Sequence, residues 1–346
     1  MQLPLTHLTY ISPLTLHFLQ MSFASRLLRS PRLFSPSRTL SSPVLRTQST
    51  MATTLQSPPF TQAVVKAMQS LYPLELADRV WDNVGLLQEN MPSPSPATSK
   101  TILLTNDLTP AVAQEAISSS ASVIITYHPF IFRGLKSITL SDPHQRVVLQ
   151  LAQNNIAVYS PHTAVDAAPG GMNDWLADMA SSLSSNSTRS VAKPISGVVP
   201  QGFEGSGYGR VVKFEEQEVK LNDLIKSYAK GLGGLRYVMV ARPKGEPTVI
   251  RSVAVCAGSG ADVLAGVDAD LIVTGEMSHH AALRLTMLGK TVLMVFHSNS
   301  ERQFLKEVLK PQLEERLKGE DELKVLVSEI DADPFEIWDV ENLPSF

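Results

Sequence analysis

Cysteine is almost absent from this chain: one residue, Cys256, in 346. A lone thiol excludes an internal disulfide and any cysteine-based zinc ribbon. Cys256 follows the strand-like run Ser252-Val253-Ala254-Val255, which favours a buried structural thiol over a reactive one. Any metal held by this chain must therefore sit on histidine and carboxylate, a donor set that suits zinc, manganese or iron better than copper. Long apolar runs are missing as well. No stretch reaches the roughly 18 residues that a membrane span needs, so no membrane partner is expected. Acidic residues and lysine are missing from the first 50 residues, which carry five arginines and many serines. Without that segment the net charge of -3 becomes 25 basic against 33 acidic residues, or -8. A mildly acidic body with no basic cluster argues against a nucleic-acid surface. Coiled-coil heptads, solenoid-period repeats and recruiting motifs are also absent.

The acid-free, Arg- and Ser-rich start has the composition of a mitochondrial transit peptide, with Ser22 to Leu33 able to form a short basic amphipathic helix. The other reading of residues 1–50 is a disordered or untranslated extension, because Met21 and Met51 are both plausible starts. A form beginning at Met51 would be cytoplasmic and keep the whole expected core.

What is present is a recurring arrangement of apolar runs that stop at a potential metal ligand. Val123-Ile124-Ile125-Thr126 runs into Tyr127-His128-Pro129, and Ile156-Ala157-Val158-Tyr159 into His162 and Asp166. Leu271-Ile272-Val273-Thr274 runs into Gly275-Glu276 with His279-His280 beyond, and Val292 to Phe296 into His297 and Glu301. Short continuous apolar runs read as buried parallel strands. Ligands of open α/β sheets bind at the carboxyl ends of such strands. Of the six histidines between 128 and 297, only His144 is not at one of these ends.

Between these runs lie helical stretches at 61–71, 110–118, 142–153 and 173–183, an alternation that implies βαβ units. Pro92 to Ser99 reads as a surface loop, and Ser181 to Ser190 as a boundary. Next come a strand at 210–214, a helix at 221–230 and strands at 236–241 and 249–255. The α/β pattern then returns, with strands at 271–274, 291–296 and 324–328. The expected fold is α/β and two-lobed. A discontinuous α/β lobe with a parallel-rich sheet (60–185 plus 270–346) would carry an inserted, smaller α+β lobe (195–265).

His297-x-x-x-Glu301 places an imidazole at a strand end and a carboxylate in the next turn, so both can face one crevice and hold a divalent ion. The competing role for Glu301 is to cap the helix start. His162-x-x-x-Asp166 repeats the spacing, with an Asx turn as its alternative. At His128, the following proline suits presentation of a ring at a sheet edge, although a lone histidine there is more often a satisfied core residue. His279 and His280 point about 100° apart on a helix, so only one can face the site squarely. Glu276, His279 and His280 then read as proton carriers or supports. Gly258-Ser259-Gly260 reads as a tight turn more readily than as a phosphate cradle.

Five ordered words together resemble the NIF-three-like family, whose members are often labelled GTP cyclohydrolase 1 type 2 homologues. They are Trp81-Asp82-Asn83-Val84-Gly85-Leu86, Tyr127-His128-Pro129-Phe130-Ile131-Phe132, His162-Thr163-Ala164-Val165-Asp166, Gly275-Glu276-Met277-Ser278-His279-His280 and His297-Ser298-Asn299-Ser300-Glu301-Arg302. The resemblance covers Phe60 to Phe346. It implies a dinuclear centre of two divalent metal ions (zinc, manganese or iron), with His128, Asp166, His297 and Glu301 as ligands. It also implies His162 and the His279-His280 pair in or beside the site, and a homo-oligomer. Bacterial members usually carry a His-His pair where this chain has Tyr127-His128. A phenol titrating near about 10 is a poor neutral ligand, so one of the two positions is expected to be looser. Two functions follow: a metal-dependent hydrolase of GTP, a phosphoester or another small-molecule substrate, or a non-catalytic regulatory oligomer that binds a protein partner.

Overall fold

Pairs of sequence signals set the local structure. Thr109 and Asp142 each precede a proline, and their side chains accept from Val112 and Gln145 backbone N–H groups at 3.3 and 2.9 Å. An oxygen-bearing cap followed by proline at the first helical position starts helices Pro110–Ser118 and Pro143–Gln153 where the sequence places them. The computed structural model describes residues 56–92, 99–215, 218–245 and 249–343. The expected targeting segment and most of the Pro/Ser loop lie outside them.

Two sheets carry the fold. The first runs in the order Gly85–Gln88, Ala157–Ser160, Val123–Thr126, Thr101–Thr105, Lys324–Val327, all parallel except the antiparallel edge strand Gly85–Gln88. The second runs Ser187–Pro194, Gly207–Phe214, Ser252–Cys256, Leu271–Thr274, Thr291–Met294, Met239–Ala241. Its three strands from Ser252 to Met294 are parallel, and the flanking strands antiparallel. The α/β class with parallel-rich sheets is therefore as expected. The division into lobes differs. Leu271–Thr274 and Thr291–Met294 do not return to the first sheet but pair beside Ser252–Cys256, and Lys324–Val327 is the strand that returns. A continuous apolar run announces a strand buried on both faces without saying which sheet buries it.

Alternation along each strand divides the core. Ile102 and Leu104, Val123 and Ile125, and Ala157 and Tyr159 share one cluster with Val253, Val255, Leu271, Val273 and Leu293 of the second sheet. Their neighbours Leu103, Ile124 and Val158 face outward onto helices Pro110–Ser118 and Pro143–Gln153. Period-two geometry thus turns one face of each sheet towards a shared interior. Helices Pro59–Leu71, Met172–Ser181 and Leu221–Gly231 fill it.

A buried ion pair pins the second sheet to the helices that carry the site. Arg210, on strand Gly207–Phe214, is 2% exposed and donates to Asp174 from Nε at 2.7 Å and from Nη2 at 3.1 Å. Its remaining N–H groups reach the carbonyls of Gly207, Gly209, Ala167 and Ala168. Stripping one partner from such a pair costs about 3–5 kcal/mol. The segment behind Asp166 is held accordingly.

Candidate metal centre

The carboxyl ends of parallel strands from both sheets open onto one cleft of about 570 Å³. Thr126 leads to His128 and Ser160 to His162 from the first sheet; Cys256 leads to Gly258 and Met294 to His297 from the second. Two of these exits leave ordinary backbone space. His162 has φ +31° and Phe296 φ +70°, in the left-handed region that non-glycine residues rarely occupy. Conformations of this kind persist where the surroundings enforce them, commonly at functional sites. Here they turn the His162 and His297 side chains off their strands.

At the base of the cleft three ligand atoms converge. The Nε2 atoms of His128 and His297 lie 3.3 Å apart. Glu301 Oε2 is 3.5 Å from the first and Oε1 3.4 Å from the second. The other ring nitrogens are occupied: His128 Nδ1 meets Asp107 Oδ1 at 2.9 Å, and His297 Nδ1 meets Glu276 Oε1 at 3.0 Å. A carboxylate can only accept, so each Nδ1 carries a proton, and in its neutral form each ring turns a bare Nε2 lone pair inwards. Two lone pairs and a carboxylate crowded together lack only a positive charge between them. Carboxylate–histidine pairs with the free nitrogen aimed at a common point are the standard support of a metal site, and the donor set fits a divalent ion.

Glu301 is 1% exposed, and burial pushes its carboxyl up to about 8 against the nearby imidazole of His297. Asn106 Nδ2 donates to Glu301 Oε2 at 3.0 Å and to Asp107 Oδ2 at 3.2 Å, joining the buried ligand to the carboxylate that orients His128. Asp331, near the C-terminus, accepts from the Asn106 backbone N–H at 2.6 Å.

Glycine backs the site because nothing larger fits. A Cβ on Gly258, whose φ is +59°, would stand 2.7 Å from Glu301 Oε1 and 3.0 Å from His297 Nε2. One on Gly275 would stand 2.7 Å from the Gly258 carbonyl and 2.9 Å from the His297 Cα. The turn at Gly258 makes room for the convergence point.

Asp166 lines the same cleft without joining the trio of His128, His297 and Glu301, whose ligand atoms all lie within 4.8 Å of one another. Tyr127 donates its hydroxyl to Asp166 Oδ1 at 2.7 Å, and burial holds the phenol well above its usual range and raises the Asp166 carboxyl. Beside it, His162 Nδ1 meets Asp82 Oδ1 at 2.7 Å. Burial alone would raise Asp82, but the His162 bond and charge, with hydrogen bonds from Thr163, hold it below the usual carboxylate range.

Comparison with known proteins shows the family. The family described as Duf34/NIF3 (NGG1p interacting factor 3) matches residues 61–334. The chain belongs to that family. The NIF3 homolog of Schizosaccharomyces pombe is 46% identical over 272 residues, covering 78% of this chain and 95% of the relative. NIF3-like protein 1 of Drosophila melanogaster is 44% identical, covering 79% of this chain and 87% of the relative. Among solved structures, a Bacillus cereus protein related to NIF3 superposes with a TM-score of 0.66 at 22% identity, over 82% of this chain and all of that one. At that identity the likeness concerns the fold.

The remaining expected residues of this NIF3-family chain divide. Glu276 is at the site, but it supports His297 rather than a neighbouring helical histidine. His279 and His280 are exposed, their rings against each other at 5.3 Å, and His279 lines a separate hollow with Val240 and Leu283. They are not brought to the cleft. Helix His279–Met287 has no buried residue, so its start faces solvent. His144 stacks on Phe130, away from the ligands as expected. Asp107, Asn106 and the role of Asp82 were missed. Thr101 to Thr105 is another apolar run that stops at polar residues, Asn106-Asp107, and a search for imidazoles passes over it.

Two outcomes follow. Gly258→Ala puts a methyl where the ligand atoms meet, so zinc affinity should fall by at least about tenfold, while the left-handed φ costs only about 1–2 kcal/mol of stability. Zinc titration monitored beside urea unfolding separates the two, and an unchanged zinc affinity would contradict the geometry. In metal-free protein, Glu301 binds its proton up to about 8 when folded but only to about 4.5 when unfolded. The folded state therefore holds the extra proton between those values, and stability from this group is lost as pH rises through that window. The stability of wild type relative to Glu301→Gln should decline across it; a flat difference would be inconsistent with a buried, proton-holding carboxyl.

Proposed function

We propose that this NIF3-family protein is a divalent-cation-dependent hydrolase of a small substrate, a phosphoester or a nucleotide ring of the kind that GTP cyclohydrolase opens. One observation carries the reading: the convergence of two Nε2 atoms with a buried carboxylate in the wall of an open cleft. His128, His297 and Glu301 would hold one cation. Asp166 offers a second position with zinc, manganese or iron as occupant, and Tyr127, by bonding Oδ1, leaves it a single free carboxylate oxygen. A divalent cation in such a set polarises a substrate oxygen and eases the ionisation of water.

The chain's own residues supply the rest. Asp107 and Glu276 fix the tautomers of the two imidazoles. Glu301 loses its proton as the cation binds, which couples uptake to pH. His162, held at Nδ1 by Asp82, keeps Nε2 available to move a proton at the cleft wall, and this dyad takes the place of the shuttle expected from His279 or His280. Tyr127 stays a protonated phenol and works as a donor to Asp166 rather than as a ligand.

The test is elemental analysis together with turnover of GTP and a panel of phosphoesters. Wild type purified without chelator should carry more than one but fewer than two equivalents, rising towards two when zinc or manganese is added. Glu301→Gln should lose the tight equivalent and at least about 100-fold in turnover, beyond what losing a supporting hydrogen bond costs. Equal turnover in the variant, or a metal content near zero that added zinc cannot raise, would overturn the reading.

A further inference from the structure

The ligand histidines are one end of a longer row of rings. Phe132 and Trp81 lie 6.0 Å apart by centroids, and Trp81 meets His162 edge-on at 5.7 Å. His162 lies 5.4 Å from both Tyr127 and His128, and His128 5.2 Å from His297. The row is buried at Tyr127 and open at its Trp81–Phe132 end, where Trp81 is 50% and Phe132 43% exposed, and both line the cleft. Exposed tryptophan at the mouth of a metal-site cleft leaves a large apolar face in water, a cost that binding a flat apolar partner removes.

The exposed rings are also held in place. The loop carrying Trp81 is tied down on both sides: the Asp78 backbone N–H donates to Thr163 Oγ1 at 3.0 Å, and Asp82 binds His162 at 2.7 Å and the Thr163 hydroxyl. Phe132 follows Ile131, whose carbonyl accepts from Asn83 Nδ2. A six-ångström separation is too narrow for a third ring between Trp81 and Phe132, so the pair, its planes tilted 48° to each other, makes an aromatic wall against which a ring can pack. Among the described residues lining the cleft, Lys193 is the single lysine or arginine; it is exposed and has no ion pair among those residues.

From this juxtaposition we infer that the cleft binds a molecule with a flat aromatic ring and an anionic tail, of nucleoside monophosphate size. The ring stacks on the Trp81–Phe132 wall, the tail meets Lys193, and the reacting end reaches His128, His297 and Glu301. The inference deepens the hydrolase reading and rests on it for the reacting end, while the ring-binding part stands on the wall itself. Stacking on aromatic side chains tolerates the identity of the ring and strengthens binding by roughly tenfold or more per base.

The experiment is calorimetric binding of AMP, GMP, CMP and ribose 5-phosphate to the full chain, zinc-loaded and chelator-treated. At least one nucleotide should bind about tenfold or more tightly than ribose 5-phosphate. Trp81→Ala should reduce that advantage to within about twofold and leave ribose 5-phosphate affinity unchanged, and Phe132→Ala should reduce it in part. Lys193→Ala should weaken all four by a similar factor. Both aromatic side chains are half-exposed, and wild-type zinc uptake in each variant confirms that it has folded. Nucleotides that bind no better than ribose 5-phosphate, no nucleotide binding at millimolar concentration, or an unchanged ratio in Trp81→Ala would overturn the inference. Because the ratio is also read without metal and without turnover, a wild type that takes up no zinc defeats the hydrolase reading alone.

Discussion

Two imidazole nitrogens 3.3 Å apart beside a buried carboxylate need a proton or a cation between them. Most of the local structure enforces that crowding. Asp107 and Glu276 lock the tautomers, Asn106 ties Glu301 to Asp107, and Gly258 and Gly275 clear the volume. The left-handed turn at Phe296 directs His297 inward. Each of these features is costly or unremarkable on its own. Together they describe a site that could hold a cation.

The two-sheet architecture supplies the convergence. Each sheet turns one face towards a shared interior, which brings the carboxyl ends of strands from both to a single cleft. His128 comes from the first sheet and His297 with Glu301 from the second, so the trio forms only when both sheets are assembled. The Arg210–Asp174 pair reinforces that assembly from behind Asp166. A cation held by this trio would therefore link metal affinity to folding.

Much of this was legible in the residues, for physical reasons that also explain what was not. Apolar runs that stop at His128, His162, Glu276 and His297 gave strand ends correctly, because burial on both faces leaves no room for polar residues until the strand exits. They could not assign Leu271–Thr274 and Thr291–Met294 to a sheet, since the same hydrophobicity serves either. Strand Ser187–Pro194 was hidden in a Ser-rich boundary because it is an edge strand, largely exposed and polar. The His297-x-x-x-Glu301 spacing picked out two of the three residues whose ligand atoms the fold brings together. The His279-His280 pair, equally suggestive by composition, lies on a helix with no buried residue. The roles of Asp82 and Asp107 escaped notice because a carboxylate that orients a histidine is defined by a distance of 2.7 to 2.9 Å across the fold, and no local spacing encodes it.

X-ray absorption spectroscopy of the zinc-loaded protein at one equivalent tests the central claim most directly. The geometry of His128, His297 and Glu301 requires two imidazole nitrogens and at least one oxygen at about 2.0–2.2 Å, with the outer-ring scattering that imidazole alone produces. His128→Ala should remove half of that imidazole signal. A spectrum of oxygen ligands only, or one indifferent to His128, would place the cation elsewhere and contradict the account.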